Sequence, residues 1–367
     1  MPDGHKKYAI LLSMYVRENG IKPVIRWLNT GIFLVFFMVL VGAITRLTES
    51  GLSITEWKVV TGTIPPITQE DWHDEFEKYK QTPEYLEKNQ FRFGEDQSEA
   101  LANFKKIFFW EWLHRFLGRF IGVVFLVPFI WFWRKGYFKK RIYPRLLVIF
   151  LLGGFQGYLG WWMVKSGLVD QPHVSHYRLA AHLSTALATL CLIWWLVLDI
   201  KHPRNINLRN RFPLLKRIWQ VSFIILIVQV IYGAFVAGKD AGQIFNTWPL
   251  MNGQVIGQGS FDEKPFYYNL IGEAVNLGGI QFIHRSIGIL LYLMIAGLWI
   301  ASRYQNLRHD ARILVNGMFL MVNVQFLLGV LTLLYFVPVY LGVLHQAGAV
   351  ILLMVSLYFY HQLRGTE

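Results

Sequence analysis

Residues 107–133 read IFFWEWLHRFLGRFIGVVFLVPFIWFW, and residues 280–301 read IQFIHRSIGILLYLMIAGLWIA. A helix needs roughly twenty apolar residues to cross a bilayer, and both runs satisfy that length. Each also opens on a histidine followed by an arginine, His114-Arg115 and His284-Arg285. Six further apolar runs lie at about 27–44, 146–164, 179–200, 218–237, 313–337 and 339–360, giving eight candidate spans. Several are rich in Val, Ile, Phe and Trp, which favour strands in water. In lipid every backbone polar group must be paired within its own segment, so runs of this length become helices. The expected fold is an all-α polytopic membrane protein with eight transmembrane helices.

Composition agrees. Of 367 residues, 54% are hydrophobic and only 16% charged, against about 25% charged in soluble domains. A soluble enzyme, a disordered chain and a secreted disulfide scaffold are excluded. The single cysteine, Cys191, lies inside an apolar run, so it forms no intrachain disulfide and reads as a small packed hydrophobe. The net charge of +13 does not indicate nucleic acid, because the basic residues sit in short loops between apolar runs.

Those loops set the orientation. The N-terminal segment, loop 134–145, loop 201–217 and the residues Arg303, Arg308, Arg312 and Arg364 place 21 basic residues on one side, against five acids. Positive charge stays cytoplasmic, so both termini face the cytoplasm and the long insertions 45–106 and 238–279 face out. The first 26 residues contain Asp3 and Glu18 and do not resemble a transit peptide or signal sequence. A bacterial cytoplasmic (inner) membrane is the expected location. The acidic run 69–77 in the first insertion reads as a solvated helix or loop face.

Strings recur in order along the chain. Gly42-Ala43 matches Gly233-Ala234, and the Trp112–Gly118 string matches Phe282–Gly288. Gln156 through Gly160 matches Gln325 through Gly329, and His182 matches His345. Four spans per unit is an even number, so the two units run the same way through the membrane. Two parallel-repeated four-helix bundles follow: a segment 1–26, a first bundle 27–200, a linker 201–217 and a second bundle 218–367.

Spans 2, 4, 6 and 8 each carry one histidine near their outer ends: His114, His182, His284 and His345. At ~1.5 Å per residue they lie roughly 5–12 Å below the outer surface. A lone histidine in a membrane helix is most often a packed, hydrogen-bonded residue. Four at one depth, paired by an internal repeat, point to metal or haem ligation instead. A structural zinc site would want cysteines or closely spaced histidines. Ligands on separate helices suit a planar macrocycle with an imidazole on each face. Glu111 shares a helix face with His114 and Arg115. Its counterpart is Gln281, so the halves differ in acid–base capacity, although Glu111 also reads simply as the partner of Arg115. Arg119 has Ile289 at its matching position and reads either as a propionate contact or as half of an ion pair.

These strings resemble the haem A synthase family of cytochrome oxidase assembly. The stretch Gly42 to Ser53, with Trp57-Lys58 and Gly62 to Pro66, resembles its first outer loop. Glu111 to Arg115 with Gly118-Arg119, Tyr177 to His182, Gly233 to Gly242, Phe245 to Met251, His284-Arg285 and His345 to Gly348 complete the match. The resemblance implies oxidation of the carbon-8 methyl of haem O to a formyl group, through two successive hydroxylations. It implies that His114 and His182 bracket the substrate haem, that His284 and His345 ligate a resident haem b (iron) that passes electrons, and that Glu111 is the catalytic carboxylate. Arg115, Arg119, Arg285 and His176 stand as candidates for propionate or supporting contacts. A haem O synthase, an unidentified electron acceptor and a second copy of the chain are the implied partners besides the lipid bilayer. Some members carry cysteine pairs in the outer loops; this chain lacks them and resembles the cysteine-free subgroup.

His5, His73, His202, His309 and His361 lie in loops or at span ends and read as solvated. His173 and His176 lie just above His182. Asp240 and Asn246 read as turn residues or haem contacts. Two other functions remain open on the residues alone: a di-haem b-type electron-transfer protein, and a transporter, against which the spans lack a matched Gly/Pro-broken pair.

Overall fold

The computed structural model describes residues 15–57, 61–94, 96–169, 174–202, 211–261 and 276–364. Most of the N-terminal segment with His5, Lys58 of the first-loop string, His173, linker residues 203–210 and second-loop residues 262–275 lie outside the described residues. Among the described residues eight helices are long and apolar enough to cross a membrane. With one helix in the first long loop they are α1 (Ile21–Leu47), α2 (Gln69–Lys80), α3 (Gln97–Arg134), α4 (Tyr143–Val169), α5 (His176–Lys201), α6 (Pro213–Gly238), α7 (Leu277–Arg303), α8 (His309–Leu334) and α9 (Val339–Leu363). The chain is a multi-pass, all-α membrane protein.

The ends differ from the hydropathy reading for local reasons. α3 begins ten residues before its apolar run, where the Asp96 side chain accepts from the Ser98 N–H at 3.1 Å and caps the helix. Its 38 residues span about 57 Å, so its first turns stand clear of a ~30 Å hydrocarbon core. α8 stops at Leu334, although the sequence stays apolar to Val337. Phe336 and Val337 both adopt positive φ, and the Val337 N–H returns to the Thr332 carbonyl at 2.8 Å. That closes the helix and turns the chain straight into α9.

The spanning helices sort into a central group, α1, α5, α6 and α9, and a flanking group, α3, α4, α7 and α8. Half of the apolar window of α5 is buried, against 11% of that of α4. α1 packs on α3 and α5, and α4 on α5. α6 packs on α7, and α8 on both α7 and α9. Between the two chain halves, α5 meets α6, α9 meets α1 and α5, and α1 meets α6. At the end carrying the basic loops, Asp199 of α5 accepts from His361 Nε2 of α9 at 2.9 Å and from Arg145 Nη1 of α4 at 2.6 Å. His361 is fully buried, which corrects its reading as solvated. The acid and arginine that receive it are distant in sequence, so its position at a span end gave no sign of them. His202 is half-buried and lies 3.0 Å from the Tyr358 hydroxyl. His73 and His309 are exposed, and Cys191 packs against the main apolar core.

The acidic run forms α2, and it is only partly solvated. A reciprocal cap joins Thr68 and Asp71. The acids face outward, while Phe76 and Tyr79 are buried with Phe93, Phe104 and Phe108 in a small separate core beneath the first long loop. Inside it the Tyr79 hydroxyl donates to Glu84 at 3.0 Å and accepts from Asn89 at 2.6 Å. Burial pushes the Glu84 carboxyl up to about 8. The bond from Tyr79 and the charge of Lys88 oppose that rise, and the charges of Glu111 and Glu49 add to it. The unfolded chain therefore releases this proton first, and the loop core loses stability as pH climbs from about 4.5 to about 8. Amide protection over residues 69–104, taken relative to the base-catalysed intrinsic exchange rate, is expected to fall as pH rises from about 4.5 to about 8. In a Glu84→Gln variant that part of the pH dependence is expected to disappear.

Candidate functional site

The four span histidines occupy matched surroundings. His114 lies near His182, and His284 near His345. Each imidazole lies against a glycine of a neighbouring helix. A Cβ at Gly42 would sit 3.3 Å from His114 Nε2, and one at Gly160 would sit 3.5 Å from His182 Cε1. At Gly233 it would sit 3.2 Å from His284 Cε1, and at Gly329, 2.9 Å from His345 Cε1. Gln156 donates to the His182 carbonyl at 3.3 Å, and Gln325 to the His345 carbonyl at 2.9 Å. Gln325 also lies 3.1 Å from His345 Nδ1. Gly42 and Gly233 are 191 positions apart, and Gly160 and Gly329 are 169 apart. The same glycine and glutamine contacts therefore recur on the histidines of both halves.

The correspondence extends into the long loops. Arg115 donates to the carbonyls of Glu56 and Ile54, both at 3.0 Å, and its guanidinium lies 4.8 Å from the Trp57 ring. Arg285 donates to the carbonyls of Thr247 and Phe245 and lies 5.9 Å from the Trp248 ring. Residues 54, 56 and 57 each precede 245, 247 and 248 by the same 191 positions. Both arginines therefore anchor a loop over a histidine pair. Arg119 lies one turn deeper, within electrostatic reach of Arg115.

The difference between the halves sits where the helices meet these loops. Glu111 is buried, and three donors converge on its carboxylate. Arg115 binds Oε1 at 2.7 Å, while the Ser53 hydroxyl at 2.7 Å and the Ile54 N–H at 2.8 Å bind Oε2. The pairing with Arg115 is real, and it is one contact of three. Gln281, equally buried, donates instead to the Phe245 carbonyl at 3.3 Å. Ser53 and Ile54 were missed from sequence. Extending the 191-residue offset past Gly42 and Gly233 would have found the loop pairs.

His176 is buried elsewhere. It stacks with Tyr177 and Phe235 against Gly238, between α5 and α6. Asp240 pairs with Arg46 at 3.0 Å, and Asn246 donates to the carbonyls of Gly242 and Leu333 at 3.0 and 2.8 Å. Both hold the loop.

The residues present fit haem. The Nδ1 atoms of His182 and His284 are buried without a hydrogen-bond partner among the described residues. The glycine behind each ring leaves room for helix, imidazole and macrocycle to stack. Among the described residues no three His, Cys, Asp or Glu side chains group as a metal-ion cage. Two-imidazole sites are haem chemistry rather than structural zinc chemistry.

Fold and site together define an eight-span membrane protein with two matched histidine pairs. The chain belongs to the family described as cytochrome oxidase assembly protein, whose profile matches residues 25–357. It is 44% identical to a protein of Flavobacterium psychrophilum named haem A synthase, over 93% of this chain and 98% of that one. It is 42% identical to the protein of that name from Nitrosospira multiformis, over 94% of each chain. The protein of the same name from Rhizobium meliloti is 39% identical over 95% and 92%.

A methyl at Gly329 forces His345 aside, because 2.9 Å is inside van der Waals contact, whereas 3.5 Å at Gly160 is an ordinary approach. Overpacking of this kind costs about 1–3 kcal/mol. If each histidine pair holds a haem, Gly329→Ala is expected to lower haem content at His284/His345, and Gly160→Ala to leave that at His114/His182 unchanged. Haem content per purified chain checks both.

Proposed function

We propose that the chain is a haem A synthase of the bacterial inner membrane, with both termini cytoplasmic, that oxidises the carbon-8 methyl of haem O to a formyl group. It is organised as two parallel-repeated four-helix bundles, with the first taking the substrate and the second a resident haem b. The observation that carries the reading is a matched pair of histidine sites in which only one has a buried carboxylate, Glu111, where the other has the amide Gln281. Haem b held by His284 and His345 would supply one-electron transfer to and from the substrate site. His114 and His182 would hold the substrate macrocycle by its two faces.

The work of the protein's own residues is to aim and switch a proton acceptor. Arg115 fixes Oε1 of Glu111 and ties it to the loop through the same guanidinium. Ser53 has one hydroxyl proton and two acceptors, Glu111 at 2.7 Å and the Ser50 carbonyl at 3.0 Å. When Glu111 takes a proton, the Ser53 hydroxyl can turn to Ser50 and accept from the new acid. The carboxyl thus changes state without leaving a buried polar atom unpaired, which would otherwise cost about 1–3 kcal/mol. Beyond Ser50, the hydroxyls of Ser50 and Thr48, 2.6 Å apart, line a cavity of about 430 Å³ that also receives Arg92 and Lys106.

The direct test is chromatography of haems extracted from the chain expressed in a host that makes haem O. Haem b with haem A supports the reading; two equivalents of haem b without haem A would instead mark a di-haem electron carrier. Glu111→Gln keeps the shape of the side chain and is expected to lower haem A formation by about 10²–10⁴-fold with both haems still bound, the range for a positioned acid–base group. Ser53→Ala is expected to cost about tenfold, the equivalent of one hydrogen bond of roughly 1.4 kcal/mol to a charged group. Rates in membranes of matched haem content measure both.

A further inference from the structure

The two halves differ a second time, along the seam between the flanking helices. In the second half α7 and α8 are closely packed. Tyr292 of α7 bonds Asn323 of α8 at 3.2 Å and packs on Phe326 at 5.3 Å, and Trp248 from the long loop covers Phe326 at 5.5 Å. At the offsets that relate His114 to His284 and Gly160 to Gly329, the counterparts of Tyr292, Asn323 and Phe326 are Gly122, Gly154 and Gly157. A Cβ at any of these three glycines would meet nothing within 4 Å. α3 and α4 are absent from the closely packed helix pairs, and their ring contacts, Phe125 and Phe129 with Phe150 at 5.2 and 5.0 Å, lie towards the basic loops. Trp57, the counterpart of Trp248, is 42% exposed. One turn beyond Gly157, Gly160 carries the His182 ring, whose buried Nδ1 has no partner among the described residues.

We propose that the open α3–α4 seam is a lateral portal through which the substrate haem passes edge-on between the lipid and the His114/His182 site, and that Tyr292, Asn323 and Phe326 close the equivalent route around the resident haem. The proposal rests on the first half being the substrate half. The occupant is argued from chemistry: a flat, largely apolar macrocycle partitions into lipid, and the seam runs from lipid to an unpaired imidazole. A side chain at each of the three glycines would stand in its path. Exchange in one half and retention in the other then need no difference in the histidines.

The test transplants the seal. The triple variant Gly122→Tyr, Gly154→Asn, Gly157→Phe and the reciprocal pair Tyr292→Gly, Phe326→Gly are placed in nanodiscs. Zinc protoporphyrin IX in phosphatidylcholine vesicles is the probe, followed by its fluorescence. In the triple variant the association and dissociation rates are expected to fall together by about tenfold or more, as for a gated step, leaving the equilibrium affinity unchanged. In the reciprocal variant, loss of resident haem to excess apomyoglobin is expected to speed up by a similar factor. Wild-type exchange rates in the triple variant would overturn the portal. Should that variant lose its resident haem and so prove misfolded, unchanged haem retention in the reciprocal variant would overturn it instead. If the wild-type chain makes haem A but the triple variant exchanges porphyrin normally, the portal fails and the synthase reading stands. If the wild-type chain makes no haem A, the synthase reading fails and the exchange rates alone judge the portal.

Discussion

An imidazole pressed against a helix backbone sets the geometry of this protein. His114, His182, His284 and His345 each lie on a glycine of an adjacent helix, so backbone and ring come close: an added Cβ would clash at Gly329, press on the ring at Gly42 and Gly233, and make ordinary contact at Gly160. Each contact fixes how close two spans can come, and four of them fix the frame of both halves. Gln156 and Gln325 add a second hold by donating to the histidine carbonyls. In lipid such polar contacts have no competing water, so they order the helices as well as the rings.

On this shared frame the halves diverge by single residues. Glu111 faces Gln281 across the repeat, and Gly122, Gly154 and Gly157 face Tyr292, Asn323 and Phe326. Near the histidines, Gly118 borders Met38, whereas its counterpart Gly288 borders Gln229, which lies 3.3 Å from His284 Nε2. The second half is the more closely bonded and the more closed. The first carries the ionisable group and the open seam. Holding a resident group and turning over a substrate ask for that division.

Much of this was legible in the sequence, and the limits are physical. Hydropathy and loop charge find eight spans because lipid leaves a helix no alternative and basic loops resist translocation. The first turns of α3 escaped because residues such as Lys105 and Lys106 are polar, and those turns are held by Phe104 and Phe108 in the loop core. The last apolar residues of α8 misled because a left-handed turn at Phe336 and Val337 has no hydrophobic signature. The loop anchors were hidden for another reason: Arg115 and Arg285 bind backbone carbonyls, and carbonyls carry no sequence signal. His361 read as solvated because its partners Asp199 and Arg145 come from other helices.

Contacts across the two halves explain why such local differences can persist without distorting the whole. At the basic-loop end, Asp199 joins α4, α5 and α9 in a buried contact, and Trp194 donates to the Met354 carbonyl at 3.0 Å between α5 and α9. Asp199 and His361 are buried while Arg145 is 36% exposed, so this contact ties the three helices from the edge of the core. Among the described residues an inter-half ion pair at the long-loop end joins Arg46 with Asp240, whose acid is 46% exposed, and an exposed pair is worth about 0–1 kcal/mol. At that end α5 and α6 are also joined by a buried apolar cluster of Ala180, Ala234, Phe235 and Ala241, with His176 packed against Gly238, so both ends are tied across the halves. The long-loop end holds Glu111, the arginine-anchored loops and the four histidines, so the residues that distinguish the halves sit on a frame shared by both.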